Sequence, residues 1–426
     1  MSHSPAASKT ASPSSAPEAF ARLIEDFRER LEREIAAFLA DKHARASLGA
    51  GGEAAGAGLA DPADLVDGVA RLMATGGKRL RPALVYFTYR ACGGRSDELA
   101  LPVALATEFL HTYLLIHDDI MDHAEVRRGQ PAAHLRFRDL HRSSGLRGDG
   151  GDFGRSVAIL LGDLAHTYAV ELFNRAVLRD GADEPPGGDP TPAPPEWREL
   201  AGCFSTMCEE VIGGQYLEFL LAHRDLAVPQ GGDAGREAEL LRVLRLKSGR
   251  YTAERPIQLG ALLAGAPAAV RSHLSRYGTA VGEAFQLQDD LLGVFGDPAT
   301  VGKPVGDDLR EGKLTFLIYH GLAAGGADDR RVITAALGDP GLDADGVAAV
   351  QRALERAGAR QAVTAMIAQR LAEARDALAA ISPPAGDLAG GPPGQPHPHR
   401  AGGGKPWEPG RLFLSGLLDY LWEREQ

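Results

Sequence analysis

The sequence predicts an all-α protein: a single large helical bundle. Three observations carry that expectation. Apolar residues recur at helical spacing along most of the chain, no run sustains the alternation of a strand, and Pro/Gly-rich segments separate the periodic stretches. At 426 residues with 44% hydrophobic content, the chain is long enough for one large domain or two ordinary ones and can fill a core. The simplest architecture is one bundle over residues 18–426 with loops inserted between helices.

In chain order, residues 1–17 are Ser/Ala/Pro-rich and read as a disordered tail. From Glu18 to about Ala46, Phe20, Leu23, Ile24, Phe27, Leu31 and Ile35 fall at helical spacing. A Gly/Ala-rich loop follows, and Asp61-Pro62 opens a second helix through Leu65, Val69 and Met73. The stretch GGKRLRP (76–82) leads into an apolar run, and residues 97–121 form the next helix. Residues 131–142 read as a helix, and the Gly-rich stretch near 145–154 as a flexible loop. A long helix then runs to about Leu178. Residues 180–195 form a Pro/Gly/acid loop, followed by helices at about 196–222, 236–251, 254–264 and 268–293. Further helices run from Asp307 to about Ile381, residues 382–410 are a linker, and an amphipathic helix closes the chain.

Composition excludes several classes of function. A formal net charge of −11 argues against a nucleic-acid partner. Three cysteines in no metal-ligand spacing argue against a disulfide scaffold. No apolar run reaches the roughly 18–20 residues of a bilayer span, so no transmembrane segment is expected. The N-terminus lacks the apolar core of a signal peptide, which points to the cytoplasm.

The chemistry concentrates at EFLHTYLLIHDDIMDHAEVRRG (108–129), where Asp118, Asp119 and Asp122 end an apolar helix just before Arg127 and Arg128. At about 3.6 residues per turn, Asp118 and Asp122 stand above one another on one face. Aligned carboxylates repel unless a cation lies between them, and hard oxygen donors in ones and twos suit Mg²⁺. Asp289 and Asp290 repeat the pattern at the end of a second apolar helix. Two acidic helix ends facing each other across a cavity would share Mg²⁺ ions. The cations Lys78, Arg79, Arg81, Arg127, Arg128, Lys247, Arg250, Lys303 and Lys313 are candidates to hold phosphate, Arg by forked contacts and Lys by point charge.

These stretches, together with AILLGDLA (158–165), GGQYLE (213–218), KSGRYTAERPIQLGA (247–261) and FQLQDDLLGVFGDPATVGKPVGDDLREGKLT (285–315), resemble the trans-type isoprenyl diphosphate synthases of the polyprenyl synthetase family. The motifs run in the family's order. The resemblance implies an isoprenoid-synthase-like all-α fold, several Mg²⁺ ions held by Asp118, Asp119, Asp122, Asp289 and Asp290, and a homodimer. It implies that Lys78, Arg81, His111 and Arg128 grip isopentenyl diphosphate, while Arg127, Lys247, Gln286, Lys303 and Lys313 touch the allylic diphosphate. Ser248 stands where many relatives have Thr. The chain departs from the family pattern at Gly293, where many members carry a third Asp; this leaves Asp289 and Asp290 to hold the metal, with Asp307 or Asp308 as candidate helpers and the third ligand unassigned. It departs again at Glu218, a longer acid than the usual Asp and without an assigned role.

The implied reaction is Mg²⁺-dependent head-to-tail condensation of isopentenyl diphosphate with dimethylallyl, geranyl or farnesyl diphosphate. Tyr113 lies five residues before Asp118, about 7.5 Å deeper along the helix. With Leu114 beside it and no insertion in DDIMD, it resembles the geranylgeranyl-forming pattern, with Tyr113 as the floor of the cavity. Farnesyl diphosphate is the alternative product. A class I terpene cyclase needs only one diphosphate site, and a catalytically inactive regulatory subunit would not need both acidic pairs.

Overall fold

The computed structural model of the protein describes residues 16–48, 61–178, 197–224, 228–296, 305–381 and 407–423. Helices α1 (Ala16–Leu48), α2 (Ala63–Ala74), α3 (Leu80–Ala91), α4 (Asp97–Met121), α5 (Ala133–Ser143), α6 (Gly150–Val177) and α7 (Trp197–Ala222) form the first half. Then come α8 (Ala234–Val243), a π-helical segment (Leu244–Glu254), α9 (Arg255–Leu263) and α10 (Ala268–Phe295). The short α11 (Asp307–Arg310) leads to α12 (Phe316–Ala324), α13 (Ala327–Ala336), α14 (Ala344–Arg356), α15 (Ala359–Ala379) and α16 (Glu408–Glu423). The architecture is all-α, as expected.

α4 and α6 are the central pair because each is apolar round most of its circumference. Phe109 and Ile116 are fully buried, and Phe109 meets Phe38 and Tyr168 edge-on at 5.2 and 6.0 Å. Gly162 lets the two helices close up, since a Cβ there would lie 2.3 Å from the His117 ring. By length and composition both helices are apolar enough to cross a bilayer, contrary to the expectation; 67% of the most apolar window of α4 and 44% of that of α6 are buried inside the bundle. α10 packs between the π segment and α15. Its buried Glu283 accepts hydrogen bonds or ion pairs from Arg245 and Arg370, which ties the three elements together.

Several local expectations change. The loop placed near 145–154 ends earlier: α6 starts at Gly150, with the Asp149 side chain accepting from the Asp152 backbone N–H at 2.8 Å. The linker placed at 382–410 likewise ends early, because α16 begins at Glu408. The helix expected at 236–251 becomes π-helical from Leu244, a wider winding that the apolar spacing does not distinguish from α. A two-residue antiparallel hairpin, Val126–Arg127 against Gln130–Pro131, interrupts the all-helical pattern at the arginine pair. It turns through Arg128 (φ 52°) and Gly129 (φ 73°). The 180–195 loop, residues 1–15 of the tail, most of the 382–410 linker and Lys303 lie outside the described residues.

Candidate active site

The two acidic helix ends meet across one cavity of about 800 Å³. Its polar wall carries Lys78, His111, Asp118, Arg127, Arg128, Glu218, Lys247, Ser248, Gln286, Asp289, Asp290, Asp308 and Lys313. Its apolar wall is made by Leu115, Leu221, Leu240, Val243, Leu244 and Phe316. A second depression of about 750 Å³ contains Asp122 and shares Arg127, Glu218, Asp307 and Lys313 with the first. Eleven residues that resemblance assigns to the site therefore line one space, although they come from six parts of the chain.

Close backbone packing sets this arrangement. A Cβ on Gly214 would lie 2.2 Å from the Lys247 backbone nitrogen, so glycine lets α7 press against the π segment. That approach brings Glu218, one turn further along α7, into an ion pair with the Lys247 ammonium. The Lys247 Nζ is also 3.8 Å from Asp118. Burial pulls the pKa of this lysine down, but Glu218 and Asp118 outweigh it and the net shift is upward.

Lys313 plays the same part from the other side. Its Nζ lies 3.2 Å from Asp122 and 3.6 Å from Asp308, and it also pairs with Glu311. Burial opposes its charge, and the surrounding carboxylates, Asp308 first, nonetheless raise its pKa well above the ordinary value. Asp290 shows the complementary strain. Burial and then the Asp308 carboxylate push its pKa well up, while Gln286 holds its Oδ1 with a 2.7 Å hydrogen bond.

This crowding is the test of whether the residues fit divalent cations. Hard oxygen donors from both acidic segments line the space, and ammonium groups already lie between them. Among the described residues no three of His, Cys, Asp or Glu form a ready ligand group. The donor set therefore fits ions that take their remaining ligands from water and phosphate, which is how Mg²⁺ is commonly bound.

Among the described residues, four of those expected at the site line neither space. Asp119, expected to be a metal ligand, is only 2% exposed and is gripped by the Arg127 guanidinium, with Nε at 2.8 Å. It sits about 100° round α4 from Asp118, which turns it away from the cavity. Arg81 does not reach the lining: its guanidinium lies over the Tyr251 ring at 4.2 Å and donates to Thr252 Oγ1 at 2.8 Å. Tyr113 and Leu114 are off the lining as well. Tyr113 packs against the rings of His117 and His166 at 4.7 and 5.1 Å, closing the space between α4 and α6. Tyr113 lies deeper than Asp118 along α4 but points about 140° round the helix from it.

Two of the candidate phosphate cations are structural. Arg79 is buried, donating to Glu32, Glu108 and the Met73 carbonyl. Arg250 pairs with Glu210, which also holds Arg255. Arg128, by contrast, lines the cavity and hydrogen-bonds the Gly76 carbonyl, joining the arginine hairpin to the loop that carries Lys78.

Asp308, an undecided option in the sequence, lies where the missing third acid of the second motif would be. A Cβ on Gly293 would come within 2.6 Å of the Asp308 Oδ2, so glycine there makes room for that carboxylate. The Gly306 N–H donates to the Gly293 carbonyl at 2.9 Å and fixes the loop against α10. Sequence reasoning missed Tyr251, Leu115 and Tyr420. Tyr420, on the last turns of α16, joins the cavity wall, and only the amphipathic pattern of that helix hinted at a packed position.

The chain is similar to known proteins over most of its length. The family model described as polyprenyl synthetase matches residues 64–355. The short chain isoprenyl diphosphate synthase of Methanocaldococcus jannaschii is 32% identical over 268 residues, covering 63% of this chain and 69% of that protein. The geranylgeranyl diphosphate synthase of Methanosarcina mazei is 31% identical over 264 residues, covering 62% of this chain and 69% of that protein. A geranylgeranyl pyrophosphate synthase from Corynebacterium glutamicum, solved in complex with isoprenyl diphosphate and magnesium, superposes with a TM-score of 0.72. Its sequence identity is 31%, covering 85% of this chain and 95% of that one.

Proposed function

Because the chain belongs to the polyprenyl synthetase family, we propose that this cavity joins isopentenyl diphosphate head to tail to an allylic diphosphate. The activity is that of a prenyltransferase making short-chain trans-prenyl diphosphates. The observation that carries the reading is the convergence of two groups of cations on one cavity between two acidic helix ends. One diphosphate needs only one such group.

Lys78, His111 and Arg128 are assigned to isopentenyl diphosphate, with Arg81 behind them. Arg127, Lys247, Lys313 and the Gln286 amide are assigned to the allylic diphosphate. Asp118, Asp122, Asp289, Asp290 and Asp308 would hold Mg²⁺, with Asp119 serving to orient Arg127. When bound, Mg²⁺ supplies charge neutralisation of the departing diphosphate. Lys247 and Lys313, preset beside the carboxylates, add fixed positive charge at the same oxygens. The allylic C–O bond breaks, the double bond of isopentenyl diphosphate attacks the allylic carbon, and the new C–C bond forms. The proton then lost goes to the released diphosphate. Leu115, Leu240, Val243 and Leu244 keep water from the allylic cation.

Geranylgeranyl diphosphate is the product we assign, supported by the similarity to geranylgeranyl diphosphate synthases and by the uninterrupted DDIMD. Tyr113 acts as the stop from behind the lining, closing the α4–α6 gap with His117 and His166. A homodimer is supported by apolar side chains exposed on α6 and α7, among them Leu160, Ile212 and Tyr216. We place the protein in the cytoplasm, in line with three cysteines that are all free thiols. Incubation with Mg²⁺, isopentenyl diphosphate and each allylic diphosphate in turn, followed by chain-length analysis, tests the product. Accumulation of geranylgeranyl diphosphate from all three starters is expected, and termination at farnesyl diphosphate would overturn that assignment.

A further inference from the structure

Tyr251 lies in the π segment, 5% exposed, and belongs to neither group of phosphate-binding cations. Its hydroxyl is 2.5 Å from the Nδ1 of His111, and its ring face carries the Arg81 guanidinium at 4.2 Å. It therefore touches two residues assigned to isopentenyl diphosphate, one on the cavity lining and one behind it.

The direction of the Tyr251–His111 hydrogen bond follows from the surroundings. Burial pushes the phenol's pKa upward, so Tyr251 keeps its proton. Burial and then the guanidiniums of Arg81, Arg128, Arg127 and Arg79 push the pKa of His111 well below its ordinary value, so the imidazole is neutral. A neutral imidazole has one N–H and one bare nitrogen. Were Nδ1 the protonated nitrogen, the buried Tyr251 O–H would be left without this acceptor, and buried donors are rarely orphaned. With the phenol donating to Nδ1, the imidazole proton resides on Nε2.

We propose that Tyr251 is a positioning residue of the isopentenyl diphosphate pocket: its hydroxyl fixes His111 as the Nε2–H tautomer, a neutral donor on the cavity wall, and its ring carries Arg81 beside it. The inference rests on the reading of this cavity as a two-diphosphate site. It assigns His111 the role of an uncharged hydrogen-bond donor, distinct from the permanent charges of Lys78 and Arg128. Lys247 and Tyr251 stand four residues apart on the π segment, one beside Asp118 and the other beside His111. One segment thus orders both pockets along α4.

The test uses the full chain labelled with ¹⁵N-histidine, with the His111 signals identified by their loss in His111→Gln. The substrate-free wild type is expected to show a proton on Nε2 and a bare Nδ1; a proton on Nδ1 instead overturns the proposal. Tyr251→Phe keeps the ring under Arg81 and removes only the hydroxyl. It is expected to alter the His111 tautomer signals and raise the KM for isopentenyl diphosphate about tenfold. The allylic KM and kcat should change less than about twofold. Equal increases in both KM values would contradict a role confined to this pocket. The tautomer measurement needs no turnover, so its result stands apart from any failure of the condensation reading.

Discussion

The Nζ of Lys313 lies 3.2 Å from the Oδ2 of Asp122, joining residues 191 positions apart in the chain. The same ammonium is 3.6 Å from Asp308, so one lysine spans the first acidic motif and the acid beside the second. Removing it leaves Asp122, Asp308 and Glu311 repelling one another. Lys313→Gln is therefore expected to lower kcat by about 100-fold or more. It should also make the melting temperature rise more on Mg²⁺ addition than it does in the wild type, because the metal then relieves a larger repulsion. An equal Mg²⁺ shift in the two proteins would show that Lys313 does not stand between future metal ligands.

Asp118 and Asp119 are neighbours with opposite tasks. Asp119→Ala strands the buried Arg127 guanidinium and is expected to cost about 3–5 kcal/mol of stability. Asp118→Ala should leave stability close to wild type and lower turnover by orders of magnitude. Denaturant midpoints and kcat measured on both variants decide it. The reverse pattern would restore Asp119 as the ligand.

Gly293→Asp makes the second motif resemble the common family pattern, yet it should lower activity. Its Cβ would fall within 2.6 Å of the Asp308 Oδ2, so the Asp308 carboxylate must swing out of the place it holds beside Lys313. Activity at or above wild type would mean that Asp308 does not fill the third position.

His111 also gives a pH dependence of stability. Its folded pKa is depressed, mainly by burial, below the ordinary value of about 6.5. Its contribution is therefore fully present above that value and is lost as pH falls through it, where the unfolded chain takes up a proton that the folded chain refuses. His134 and His320 are depressed in the same direction, so the comparison must be with His111→Gln. The wild type should lose more stability than the variant between pH 7.5 and about 5.5. Parallel losses would mean that His111 titrates normally.

Much of this was legible in the sequence because it is local. The helical period placed Asp118 and Asp122 on one face, and the same arithmetic puts Asp119 about 100° away, a consequence that the motif obscured. Lys313 meeting Asp122, Glu218 meeting Lys247 and Tyr251 meeting His111 are long-range pairings, and no local pattern encodes them. The π winding at Leu244–Glu254 keeps the apolar spacing of an ordinary helix, and the hairpin at Arg127 is too short to alternate. Gly293 was visible as a departure, but its compensation by Asp308 depends on how the following loop folds back.

Tyr113→Ala opens the gap between α4 and α6 that the ring closes with His117 and His166. Products longer than those of the wild type are expected, with the first condensation little changed. An unchanged product distribution would move the stop to another helix.

Two acidic helix ends and two groups of cations in one cavity are expected to perform a Mg²⁺-dependent condensation of two diphosphates. Its most direct test is purified protein with isopentenyl diphosphate and a labelled allylic diphosphate, assayed with and without Mg²⁺ beside Asp118→Asn and Asp289→Asn. A longer all-trans prenyl diphosphate is expected from the wild type with Mg²⁺, and almost none without the metal or from either variant. A cyclic hydrocarbon, or no turnover of isopentenyl diphosphate by the wild type with Mg²⁺, would contradict it.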